Sequence, residues 1–376
     1  MRRKVVLLCI DGLDPEYLEA ARTPNLDAIA RRGFFCLGRA VLPSVTNVNN
    51  VSILTGAFPN VHGIASNYWY DASSGLGRFI EAAEDLRTMT VLERASLVGL
   101  RTALLVTKDK LRRLLSRGVE IAMSAEQPPD QAIRAVGPQQ SIFSAEIDYW
   151  QLQALCWVLS TFDPDLVYCC TTDYVMHLFG PSAPEAIRHI ERLDALVGTV
   201  VEAFPDRQIL ITADHGMRAK GVALDLVWVL AAYGIEAVFV PPIKDRYVVH
   251  HQNMGGAGYV YLDPRDVDEA ARILRETAGV EAVYTRCEAA DLFCLPADRI
   301  GDLFVLATAE TVFAEAGTLG AIRAPVRLRS HGGTHEACVP IWGSEAGLPT
   351  SSVSWNLDLV RLLDLDWPDR SAAVGG

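Results

Sequence analysis

Three short apolar runs in this sequence soon give way to an aspartate: VVLLCI before Asp11, LVYCC before Asp173, and QILITA before Asp214. Runs this short fall well below the ~18 residues that a membrane helix needs. Without polar alternation they read as strands buried on both faces, the way a parallel sheet covered by helices is built. The strands are expected at Val5–Ile10, Ala103–Val106, Val119–Ala122, Leu166–Cys170 and Gln208–Thr212. Amphipathic stretches separate them. In TPNLDAIARRG, Thr23 is placed to cap a helix, Leu26, Ile29 and Ala30 share a face, and Gly33 stops it. Further helices are expected at Lys110–Arg117, Ala145–Thr161, Ala183–Ala203 and Leu224–Tyr233. After Asp214-His215-Gly216 the texture changes. From about Ile235 to Leu306 short strands alternate with short helices, such as Val267–Thr277 and Arg286–Leu292, before APVRLRSHGG leads back. The fold class is α/β, with a main body over 1–220 and 325–376 and a smaller α+β insertion over 221–324.

Composition narrows the functions open to such a fold. Half of the 376 residues are hydrophobic and 21% are charged, which excludes disorder and fibrous structure. The 34 basic residues against 46 acidic ones leave a net charge of −12, so nucleic acid and anionic membranes are not expected partners. A bound anion must be held locally, by a metal or a few placed cations. The basic start followed by Val5–Ile10 imitates a signal peptide but is too short and has no small-residue cleavage site. Eight cysteines without a C-x-x-C pair, Cys9, Cys169 and Cys170 among them in apolar strands, point to a reducing cytoplasm. The sequence leaves the oligomeric state open, a homodimer included.

Chemistry-bearing residues gather at strand ends, where open α/β sheets build their sites. Asp11 precedes Gly12, which permits a sharp turn; alone it is a metal ligand or a helix cap. Asp173 and His177 lie four apart, on one side of a helical turn, and suit one metal ion or a hydrogen-bonded polar loop. Asp214 and His215 are adjacent before Gly216 and, pointing in different directions, can serve two ions. His331 precedes two glycines that let backbone approach closely, and His335 follows four residues on; either ring suits a metal. Mixed oxygen and nitrogen donors favour zinc or a similar divalent ion, and paired ions recur in phosphoryl chemistry. For a nucleophile, VLPSVTNVNNVSILTG offers Ser44, Thr46, Ser52 and Thr55. Thr46 stands where a loop meets a short helix expected over Asn47–Leu54, as a nucleophile or an ordinary N-cap.

This ordered set resembles the alkaline phosphatase superfamily, more narrowly its nucleotide pyrophosphatase/phosphodiesterase branch, and within that the phosphonoacetate hydrolases. PSVTNVNNVSILTG, SNYWYD, TKDKLRRLL, MSAE and RSHGG carry the resemblance, with YVVHH and LPADRIGDL in the insertion. It implies an alkaline-phosphatase-like core sheet flanked by helices, with the α+β insertion as a cap. It also implies two Zn2+ ions, one held by Asp11, Thr46, Asp214 and His215, the other by Asp173, His177 and His331. Asn67 would contact a phosphoryl oxygen, and Lys108 and Lys110 the substrate carboxylate, whereas His335 is no ligand in the family pattern. Read alone, the two lysines are a solvated basic helix start, since Arg112 and Arg113 follow.

The reaction so implied is hydrolysis of the carbon–phosphorus bond of phosphonoacetate to acetate and phosphate. Thr46 is the nucleophile, through a phosphothreonine, and Lys108 and Lys110 stabilise the departing carbanion. The alternatives are a type I phosphodiesterase or phosphatase acting on nucleotide or aryl esters, and a hydrolase of a related small phosphonate. From another class comes a metal-binding protein without catalysis; structural zinc sites are usually closed and cysteine-rich, which these Asp and His donors are not.

Overall fold

A computed structural model describes residues 3–347 and 353–363; the rest of the expected 325–376 segment, and the side chains of His250 and His251 in YVVHH, lie outside the described residues. The core is a seven-stranded sheet in the order Phe34–Arg39, Cys338–Gly343, Gln208–Thr212, Val5–Cys9, Leu166–Cys170, Thr102–Val106, Ile121–Ser124. Helices cover both faces, so the four central parallel strands bury every residue and are mainly apolar. This is an α/β core sheet flanked by helices, as the resemblance implies.

The sheet is mixed rather than parallel throughout. Cys338–Gly343 runs antiparallel to both neighbours and links the edge strand Phe34–Arg39 to the parallel strands. The strand expected at Val119–Ala122 begins two residues later, at Ile121. Thr23 precedes its helix as expected, but its side chain makes no capping hydrogen bond; Pro24 at the first helical position and the Asp194 carboxylate organise that start instead, the latter by accepting the Asn25 and Leu26 N–H groups.

Register decides what the sheet presents at its C-terminal edge. Cys9 lies opposite both Cys170 and Thr212, and Cys170 opposite Val106. Four parallel strands therefore end level. Asp11, Lys108, Thr172 and Asp214 each stand two residues beyond an aligned strand end, and Asp173 follows by one.

Three smaller sheets accompany it, one of them the two-stranded pair Tyr68–Asp71 and Leu76–Phe79; the other two come after the His215 turn. One has four strands, Ala237–Val240, Ala257–Leu262, Leu303–Ala307 and Val280–Thr285, with its own apolar core. In the other, Arg218–Leu224 pairs antiparallel with Arg323–Ser330, which places Arg218 opposite Ser330. Residues just before the first strand and just after the second thus meet at one end. His215 and His331 occupy those positions. Among the described residues, no helix is long and apolar enough to cross a membrane.

Candidate active site

All seven residues expected to hold metal converge beyond the level strand ends, and each is at most 4% exposed. Asp11 does not cap a helix: Asp14 does that, accepting the Glu16 N–H at 3.0 Å. Both carboxylate oxygens of Asp11 are buried without a hydrogen-bond partner. Gly12 makes the turn possible. Its φ is +74°, and a Cβ there would lie 2.8 Å from the Cβ of Asp173.

The three histidines share one arrangement. Nδ1 faces a backbone carbonyl in each: Arg329 at 2.7 Å for His177, Gly216 at 3.0 Å for His215, Ser44 at 2.8 Å for His331. A carbonyl only accepts, so Nδ1 carries the proton and Nε2 presents a lone pair. Those lone pairs face carboxylates. Nε2 of His177 is 2.9 Å from Asp173 Oδ2, and that of His331 is 3.5 Å from the same oxygen. Nε2 of His215 is 3.3 Å from Asp11 Oδ1 and 3.4 Å from Asp214 Oδ2. Lone pairs facing anionic oxygens repel unless a cation or a proton sits between them. The donor set fits divalent ions, and neutral imidazoles locked by a carbonyl at Nδ1 are how proteins orient metal-binding histidines.

Two groups place one donor atom per residue within 4.8 Å of one another: Asp11, Asp214 and His215, and Asp173, His215 and His331. His215 falls within reach of both, and its ring stacks on that of His331 at 3.5 Å and 8°. His335 lies apart, its Nε2 2.6 Å from Glu281.

Electrostatics carry the same message. In the metal-free chain, burial and then the Asp173 charge push the Asp214 carboxyl up to about 7. Burial, Asp173 and Asp214 together hold Asp11 well above the ordinary carboxylate range. Burial pushes the imidazolium forms of His215 and His331 down. A carboxyl whose folded pKa is raised contributes stability that is full below its unfolded value near 3.8 and lost as pH rises through about 7. Divalent ions bound at these groups would replace those protons, so the gain in Tm on adding Zn2+ should be larger at pH 8 than at pH 5. Thermal melts at the two pH values check this, and equal gains would place the ion elsewhere.

Thr46 opens the helix Thr46–Thr55, and its hydroxyl is 3.3 Å from His215 Nε2. Every residue of that helix is buried, asparagines included, so no amphipathic stripe marks it. Backbone and neighbouring partners hold the polar side chains instead. Asn49 bonds both the N–H and the carbonyl of Val41, and Asn47 donates to the Ile80 carbonyl. Asn50 donates to Asp214 Oδ2 at 3.2 Å and accepts the Tyr168 hydroxyl at 2.6 Å. Asn67 sits beside this helix start, accepting the Asn47 N–H at 3.2 Å and donating to the Ile243 carbonyl.

Lys108 and Lys110 are not a solvated helix start: both are buried. The Lys108 ammonium lies 2.9 Å from Asp173 Oδ1 and 3.6 Å from Asp11 Oδ2. Burial opposes its charge, but Asp173 and Asp11 outweigh that and hold its pKa well above the ordinary value. Lys110 pairs with Asp245 at 2.7 Å, beneath the ring of Tyr247, whose hydroxyl donates to Glu126 of the MSAE motif.

Three residues near the site escape a reading of the sequence. Asn50 lies one helical turn after Thr46, a spacing that could have flagged it. Asp148 accepts the Thr172 N–H at 2.8 Å and so fixes the turn before Asp173, but it comes from a distant helix and carries no local signal. Glu336, hidden behind His335, accepts the Gly333 N–H.

The family model for type I phosphodiesterase/nucleotide pyrophosphatase matches residues 5–336. The chain belongs to that family. It is thereby a member of the nucleotide pyrophosphatase/phosphodiesterase branch of the alkaline phosphatase superfamily. Among solved structures it is similar to phosphonoacetate hydrolase from Sinorhizobium meliloti in complex with phosphonoacetate, at 32% identity over 95% of this chain and 94% of that one, with a TM-score of 0.88. Murine ectonucleotide pyrophosphatase/phosphodiesterase 5 shares the fold at 17% identity and a TM-score of 0.69, covering 96% of this chain and 94% of its own. Curated relatives include an uncharacterised pyrophosphatase/phosphodiesterase of Schizosaccharomyces pombe, 25% identical over 62% of this chain. Human ectonucleotide pyrophosphatase/phosphodiesterase family member 7 is 26% identical over 57% of it. The match spans 48% of the length of each of these two relatives.

Proposed function

We propose that this protein hydrolyses the carbon–phosphorus bond of phosphonoacetate, or of a closely related small phosphonate. The observation that carries the reading is the buried lysine beside the acidic cluster, with Lys108 Nζ 2.9 Å from Asp173. It puts a fixed cation where a substrate's second anionic group can reach it. The similarity to phosphonoacetate hydrolase supports the same choice.

Two zinc ions, held by Asp11, Thr46, Asp214 and His215 and by Asp173, His177 and His331, would supply Lewis acidity and offset the phosphonate charge. Thr46 is the nucleophile: its hydroxyl gives up its proton to solvent, and Oγ1 bonds phosphorus while the carbon–phosphorus bond breaks. The bonding pair stays on the methylene carbon and spreads onto the carboxylate. Lys108 and Lys110 stabilise that developing charge, and Asn67 orients a phosphoryl oxygen near the Thr46 helix start. The carbanion takes a proton and leaves as acetate. Water then cleaves the phosphothreonine, which returns the Thr46 hydroxyl and releases phosphate.

Hydrolysis of nucleotide or aryl phosphate esters is the second reading, favoured by the family match over residues 5–336. Phosphate release from phosphonoacetate, measured beside a panel of phosphate mono- and diesters with and without chelator, tests both. Chelator-sensitive turnover of phosphonoacetate above every ester is expected. Esters turned over with phosphonoacetate untouched would overturn the phosphonate reading and leave the ester one.

A further inference from the structure

Lys220 and Glu336 form an ion pair sealed from solvent, Nζ to Oε1 at 2.7 Å, with side chains 1% and 0% exposed. Desolvation largely offsets the attraction in such a pair, so stability alone is a weak reason for it. Its other contacts say more. Glu336 Oε2 accepts the Gly333 N–H at 3.0 Å, two residues past His331. The Glu336 carbonyl accepts the Gly216 N–H at 2.7 Å, one residue past His215. Lys220, also donating to the Ala309 carbonyl at 2.9 Å, comes from the strand that leaves the His215 turn and lies opposite Leu328 on the strand that enters the His331 turn.

Space around the carboxylate is closed as well. The Gly256 N–H donates to the His331 carbonyl at 3.0 Å, and a Cβ on Gly256 would lie 2.9 Å from Gly333 N and 3.3 Å from Glu336 Oε2. Glu336 is thus the single side chain, among these contacts, that touches one histidine turn while its own backbone holds the other.

We propose that Glu336, anchored by Lys220, is a positioning residue that sets the spacing of the His215 and His331 rings and thereby the affinity of the site for divalent cations. The proposal rests on the metal reading above. The role lies in the hydrogen bond to Gly333, not in the charge. Lys220 is there to neutralise a carboxylate that cannot be solvated.

The test removes the buried charges together and varies only the acceptor. In E336Q/K220M the glutamine carbonyl still accepts the Gly333 N–H; in E336L/K220M nothing does, and E336A/K220M is a second acceptor-free variant should the leucine one fail to fold. Zn2+ affinity is measured on metal-free protein by competition with a chromogenic chelator, and melts of the metal-free forms check folding. The acceptor-free variant is expected to bind about 10–100-fold more weakly than wild type, the usual effect of losing a group that orients a ligand. The glutamine variant should stay near wild type, with all metal-free forms folded. Equal affinity in the glutamine and acceptor-free variants would overturn the proposal. A wild-type protein that takes up no Zn2+ would sink the metal reading itself, and the proposal with it.

Discussion

Thr46→Ala is expected to lower phosphonoacetate turnover by about a thousandfold or more while the protein keeps its fold and its metal content. The substitution removes the hydroxyl and the γ-methyl, and the hydroxyl contacts His215 Nε2 at 3.3 Å. The Thr46 carbonyl, which accepts from Asn50 at 2.9 Å, is untouched, so the helix start survives. Thr46→Ser, which restores an oxygen at that position, should recover part of the activity. Single-turnover kinetics with metal analysis on the same samples check this. A Thr46→Ala protein with near wild-type rates and intact metal would mean that another group attacks phosphorus.

Lys108→Ala carries the second large effect. Removing a cation aimed at developing charge in a closed site costs about a hundredfold to a thousandfold in rate. That loss should fall on phosphonoacetate, whose leaving carbanion shares charge with a carboxylate. An aryl phosphate ester has no such group and should lose far less. The comparison matters because Lys108 also lies against Asp173 and Asp11. If both substrates lost activity equally, the lysine would be serving those carboxylates rather than the substrate, and kcat/KM on the two substrates separates the cases.

Much of the sheet was legible because its strands obey one rule. Leu166–Cys170 is an unbroken apolar run and Gln208–Thr212 has the apolar centre Ile209–Ile211; both form strands with the expected ends, because a strand buried on both faces is built mainly of apolar residues. The aspartates beyond them stood out for the same reason: a carboxylate directly after a buried strand needs a partner. The antiparallel strand Cys338–Gly343 did not stand out. Its CVPIWG contains a proline and a glycine, and only the pairing with Phe34–Arg39 on one side and Gln208–Thr212 on the other makes it a strand. The helix Thr46–Thr55 was visible through its threonine, but not the depth of its burial, since Val41, Ile80 and Asp214 from elsewhere in the chain hydrogen-bond its asparagines. Lys108 and Lys110 read as solvent-facing because two arginines follow them. Level strand ends and Asp245 from a remote segment are what bury them. The residues easiest to miss, Asp148 and Glu336, act on backbone N–H groups, and no pattern of residue types announces such a contact.

The donors that meet beyond the strand ends are spread from Asp11 to His331, so the cluster draws on nearly the whole described length of the chain. On a ribosome, the early carboxylates and the threonine emerge long before the last imidazole. A nascent chain therefore has no complete cage with which to capture an ion. On the proposed metal reading, ion uptake would be a closing event in biogenesis, one that reports that synthesis has passed His331 and that the antiparallel strand pair has formed.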